Sequence, residues 1–147
     1  MRKLVSVITI LTLSIFLVSC GGGSSSSGVS LNLTGTYLVV PVVTGSPVLY
    51  VPLTAVLSQT GNKVVSTSFV ENSIPPGFVK CSPGKYSISG TTSGNTLSGT
   101  ATASAWDATF SVSGNSSSLS GTFTINYHSG ICSYRGTEAG TITLTKI

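Results

Sequence analysis

The sequence predicts an all-β domain closed as an eight-stranded antiparallel up-and-down (meander) barrel, and three observations carry that prediction. Beyond Leu31 no window places apolar residues at the i, i+3, i+4, i+7 spacing of a helix, while β-branched residues and glycines recur throughout. Period-two alternation is clear late in the chain. Trp106, Ala108, Phe110 and Val112 alternate with Asp107, Thr109 and Ser111, and Leu119, Gly121, Phe123, Ile125 and Tyr127 alternate with Ser120, Thr122, Thr124 and Asn126. Turn signals also repeat: Ser93-Gly94-Asn95 before Leu97-Ser98-Gly99-Thr100 is echoed by Ser113-Gly114-Asn115 before Leu119-Ser120-Gly121-Thr122, with Gln59-Thr60-Gly61-Asn62 a looser copy. Gly-Asn between alternating segments is a tight-hairpin signal, because both residues tolerate the positive φ of primed turns.

Taken in order, the chain opens with a basic start (Arg2, Lys3) and an apolar run from Leu4 to Val18. That run is shorter than the ~20 residues a helix needs to cross a bilayer. A positive start, an apolar centre and a small residue before a cut mark a secretory signal over residues 1–19. Residues 20–30, from Cys20 through a Gly/Ser-rich stretch, read as a tether, with an r.m.s. span of roughly 17–19 Å for ten such residues. Residues 31–147 form the predicted domain.

Strands are expected at about Leu33–Val40, Leu49–Gln59, Lys63–Val70, Lys85–Thr92, Thr96–Ala103, Trp106–Ser113, Leu119–Tyr127 and Tyr134–Thr145. Pro41 and Pro47 fall between the first two, since proline gives no amide hydrogen to a central ladder. Ile74-Pro75-Pro76-Gly77 forces a loop between the third and fourth. Short sequential strands joined by tight turns close into a barrel without exposed edges. A two-sheet β-sandwich, the alternative, needs longer crossovers than most of these turns supply.

Leu17-Val18-Ser19-Cys20 resembles the lipobox of bacterial lipoproteins. The resemblance implies cleavage before Cys20, acylation of that residue and a lipid anchor in a cell-envelope membrane. Gly21 rather than Asp after the cysteine favours the outer membrane in Gram-negative members of that family. In such an oxidising compartment the remaining pair, Cys81 and Cys132, reads as a disulfide, with two buried thiols as the alternative.

Charged residues make up 7% of the chain, against about 25% in a typical soluble domain, so solubility rests on Ser, Thr, Asn and Gly. Arg2 and Lys3 leave with the signal. What remains, Lys63, Lys80, Lys85, Arg135 and Lys146 against Glu71, Asp107 and Glu138, forms no basic stripe, and no nucleic-acid partner is expected.

A second resemblance is to lipocalins and related calycin barrels, which carry Gly-x-Trp on the first strand and a basic residue on the last that packs across the ring. Gly35 and Tyr37 stand at the motif positions, and Arg135 stands for the closing base. Tyr replaces Trp, and no room remains for the helix that follows the barrel in lipocalins.

Chemistry is sparse. His128 is the sole histidine, and a relay with Asp107 and a serine is formally open, but no Gly-x-Ser-x-Gly elbow occurs. Asp107 and Glu138 could flank a glycosidic bond on residue type alone. Ser82-Pro83-Gly84-Lys85 matches Ser-x-x-Lys in letters, but Pro-Gly between the two makes a turn instead of the helical turn that motif requires. No metal set or cofactor site is expected. The inward faces mix bulk (Leu53, Leu57, Trp106, Phe110, Phe123, Tyr127) with Gly99, Ala101, Ala103 and Ala108. Small residues there either open a pocket or make room for large neighbours. Two functions follow as expectations: a non-enzymatic envelope protein of structural or interaction role, meeting other envelope components, or a lipocalin-like carrier of a small apolar ligand lined by those six residues.

Overall fold

The computed structural model describes residues 30–45, 51–72 and 85–147. Strands β1 (Gly35–Val43), β2 (Leu53–Thr60), β3 (Lys63–Glu71), β4 (Ser87–Ser93), β5 (Thr96–Thr102), β6 (Trp106–Asn115), β7 (Ser118–Tyr127) and β8 (Thr137–Lys146) pair with their sequence neighbours. All pairs are antiparallel, and β8 returns to β1 from Tyr37–Lys146 to Val43–Gly140. The eight strands form one closed meander barrel, and the sandwich alternative is excluded.

Turn chemistry accounts for the hairpins. Gly61 (φ 60°) and Gly94 (φ 58°) take positive φ while, among the described residues, no non-glycine residue does, so the Gly-Asn turns have glycine in the strained first position, the pattern of a type II′ turn. The β6–β7 turn falls later than expected. β6 runs on to Asn115, whose Oδ1 accepts the amides of Ser117 (2.9 Å) and Ser118 (3.0 Å) and so shapes the turn itself.

Two further boundaries differ from expectation. Pro41 lies inside β1, opposite Ile142 of β8. The bonds Thr44 N→Ala139 O and Ile147 N→Thr36 O show even-numbered residues of β1 turned toward β8. Pro41 therefore turns its nitrogen toward β2, beyond the last β1–β2 pair at Val39–Leu53, where no hydrogen is needed. At the other end of the chain Tyr134 and Arg135 are not strand. They close a 3-10 helix, Gly130–Arg135, bounded by positive-φ glycines at 130 and 136.

Alternation places apolar residues inward all round the wall. β3 needs a correction in phase: Thr67 is a bulge, its neighbours pairing as Val56–Ser68 and Leu57–Ser66. The extra residue lets Val64 and Phe69, five apart, both point inward.

Tight turns and the entering segment 30–34 occupy one end of the barrel, here the turn end. The longer connections and the 3-10 helix occupy the other, the loop end. Leu31 and Leu33 are buried at the turn end, where Leu33 N donates to Gln59 Oε1 (2.8 Å) and Asn32 N to Ser116 Oγ (2.9 Å). Above them Tyr37, Val39, Leu57, Val64, Leu97, Val112 and Leu119 are fully buried. One line across the wall runs Gly90–Gly99–Phe110–Phe123–Gly140. Neighbouring strands approach so closely there that a Cβ on Gly99 would collide with the Ser89 carbonyl. Along that line two phenyl rings stand against three glycines.

Candidate functional site

A cation lies over the ring of Tyr37, and it is Lys146 rather than Arg135. Tyr37 is fully buried on the inward face of β1, and its hydroxyl donates to the Ser116 carbonyl (2.7 Å). Burial pushes that hydroxyl above the usual phenol range. The cation over its ring belongs to Lys146, with Nζ 5.9 Å from the centroid and donating to the Thr34 carbonyl (2.8 Å). Gly35 belongs to the same group, since a Cβ there would stand 2.6 Å from Lys146 Cε.

Arg135 does not take that role. Its place in the 3-10 helix puts it at the loop end, the far end of β8 from Lys146. There Nε donates to Glu138 Oε1 (2.9 Å), and the guanidinium lies 5.5 Å from the Tyr127 ring centroid.

The six residues expected to line a ligand site all face inward. Leu57, Trp106, Phe123 and Tyr127 are buried in the core cluster, and Leu53 and Phe110 pack against it half-buried. At the loop end Tyr86 stacks on Trp106 (5.7 Å between centroids) and meets the edge of Phe69 (5.6 Å). The Tyr86 hydroxyl donates to Glu71 Oε1 (2.6 Å); burial first, then this carboxylate, raises its pKa well above the usual phenol value. The aromatic trio lies beside the shortest ladder of the wall. β3 and β4 pair at Lys63–Thr91, Val64–Gly90 and Val65–Ser89, after which Ser66 Oγ substitutes for a backbone acceptor to the Ile88 amide (2.7 Å).

His128 and Asp107 meet, Nε2 to Oδ2 at 3.4 Å, on the outside of the wall with 41% and 61% of their side chains exposed. Asp107 and Glu138 cannot flank one bond. Asp107 points out of β6, whereas Glu138 stands half-buried beside Arg135. Among the described residues no group of three His, Cys, Asp or Glu side chains could hold a metal. Cys132 is buried in the 3-10 helix; Cys20, Gly21 and Cys81 lie outside the described residues.

Sequence reasoning finds a hydroxyl-rich surface but not its arrangement. Outward positions of β4–β8 are almost all hydroxyls, and register puts them in ranks. Thr100, Thr109 and Thr124 are directly opposite across three strands, and Thr102, Asp107 and Asn126 form the next rank. These residues, with Ala108, line a shallow depression of about 300 Å³. Composition announces the hydroxyls, but only register reveals the ranks. A membrane-spanning barrel has the reverse polarity, apolar outside and polar within.

Fold and site together define a closed antiparallel meander barrel, with apolar side chains clustered inside and hydroxyls turned outward. Set against known protein families, curated proteins and solved structures, the chain finds no match in any of the three.

Proposed function

We propose that this chain is a lipid-anchored cell-envelope protein, attached through Cys20 and held at the outer membrane, that acts without chemistry of its own by presenting its outer surface to other envelope components. One observation carries the reading: large apolar side chains cluster inside the barrel, while the hydroxyl ranks outside are built in register. The described chain enters at the turn end, with Leu31 buried beneath Tyr37, so a tether of Gly/Ser residues before it would hold that end nearest the membrane. Two or more acyl chains give stable attachment where one does not.

The Gly35–Tyr37–Lys146 group supports kinship with calycin barrels at the level of barrel closure, not of ligand carriage. A carrier would require the packed interior to open.

The test is mass spectrometry of the N-terminal peptide from the membrane fraction, beside the Cys20→Ser variant. An acylated Cys20 is expected, with the variant released from the membrane. An unmodified N-terminus upstream of Cys20 would overturn the anchor.

A further inference from the structure

We infer that the depression on the outer face of β5, β6 and β7 is a binding site for a neutral saccharide, recognised through Thr100, Thr109, Thr124, Asn126 and Asp107. The inference deepens the reading of an outward-acting envelope protein by naming the chemistry of its partner.

Four observations lead there. First, the backbone of a closed barrel is spent on its own ladders, so only side chains remain to recognise a ligand. Second, part of the hydroxyl surface around the depression is spent on itself: Ser98 pairs with Ser111 (3.1 Å), Thr96 with Ser113 (2.8 Å) and Thr102 with Ser87 (2.7 Å). Among the described residues, Thr100, Thr109 and Thr124 make no such side-chain bond, so their hydroxyls stand open to a ligand. Third, Asn126 accepts from Thr137 at Oδ1 (3.3 Å), which leaves its amide hydrogens outward as donors. Asp107, opposite it in register and held from one side by His128, offers carboxylate oxygens that accept from hydroxyl donors.

Fourth, the charge of the site selects the ligand. The lining residues include a single carboxylate and no cation, which disfavours nucleic acid and anionic lipid headgroups. They include no large apolar or aromatic side chain either, so neither an acyl chain nor the apolar centre of a protein interface finds an anchor. A polyhydroxylated neutral molecule matches what remains: hydroxyls and one amide that donate and accept, a carboxylate that accepts, and threonine methyls beneath the ring. Adjacent strands lie ~4.8 Å apart, so a rank of threonines spaces its hydroxyls on the scale of a sugar ring.

The experiment is titration of the whole chain, ¹⁵N-labelled and held in lauryldimethylamine oxide micelles, with maltohexaose, cellohexaose and fully N-acetylated chitohexaose into the millimolar range. At least one should shift the amide resonances of Thr100, Thr109, Thr124 and Asn126. The Thr109→Val/Thr124→Val variant keeps β-branched shape and should weaken binding about tenfold through two lost hydrogen bonds. Thr96→Val, outside the depression, should bind as the parent does. If none of the three saccharides moves these resonances, or the double variant binds unchanged, the site is overturned. Such a failure would leave the acylation of Cys20 standing, since that is read from a different peptide by a different method.

Discussion

Lys146, the last residue of β8, lies over the ring of Tyr37 near the start of β1, with its ammonium 5.9 Å from the centroid. The contact ties the two termini of the barrel across its closing seam, and its stem passes where a side chain on Gly35 would stand.

Removing the cation tests the closure. Lys146→Ala should cost about 1–2 kcal/mol, combining a cation–π contact with a hydrogen bond from a charged donor. Gly35→Ala should also destabilise, since a methyl there meets Lys146 Cε and φ is +142°. In urea unfolding, a Tyr37→Leu/Lys146→Ala double-mutant cycle should show coupling, and Tyr37→Leu/Arg135→Ala none. Coupling of Tyr37 to Arg135 instead would contradict the geometry.

The glycine line predicts steric intolerance. Gly140→Ala and Gly99→Ala place a methyl against the Val42 and Ser89 carbonyls of the paired strand. Overpacking of this kind costs about 1–3 kcal/mol or more, so each variant should unfold at clearly lower urea. Neutral substitution at both would mean that the strands are not so close.

At the β3–β4 seam, native-state hydrogen exchange should find less protection than at β6–β7, because backbone pairing stops at Val65–Ser89. Ser66→Ala removes the acceptor of the Ile88 amide and should cost about 1 kcal/mol. The Ile88 amide should then exchange faster, with β6 and β7 amides unaffected.

Alkaline stability follows from Tyr37 and Tyr86. Both have pKa values raised above 10.0 in the fold, so below that value their contribution is fully present. As pH climbs from there toward the folded values, the unfolded chain loses protons that the native state keeps, and stability falls. Tyr86→Phe and Tyr37→Phe should each flatten that decline. An unchanged slope in both would show that neither hydroxyl is held as described.

How much of this was legible varies by residue. The barrel was, because alternation and Gly-Asn turns are local signals that need no tertiary context. The aromatic of the Tyr37–Lys146 contact is legible in Gly35-Thr36-Tyr37, but the cation is not, because Tyr134-Arg135 reads as the start of a strand that begins only at Thr137. The missed signal is the alternation Gly140, Ile142, Leu144, which continues to Lys146; antiparallel closure then sets the end of β8 beside the start of β1. The Thr67 bulge was illegible, since Ser66-Thr67-Ser68 carries no apolar marker to reveal a change of phase. The depression depends on register between three strands, which no single stretch encodes.

The central claim, that the barrel is packed by its own residues and acts through its outside, is tested most directly by native mass spectrometry of the whole chain released from detergent. The account predicts a mass explained by polypeptide and anchor alone, unmoved by added palmitate or other small apolar molecules. A co-purifying apolar molecule, freed on denaturation and lost when Leu57 or Phe123 is altered, would contradict it and make the interior the functional site.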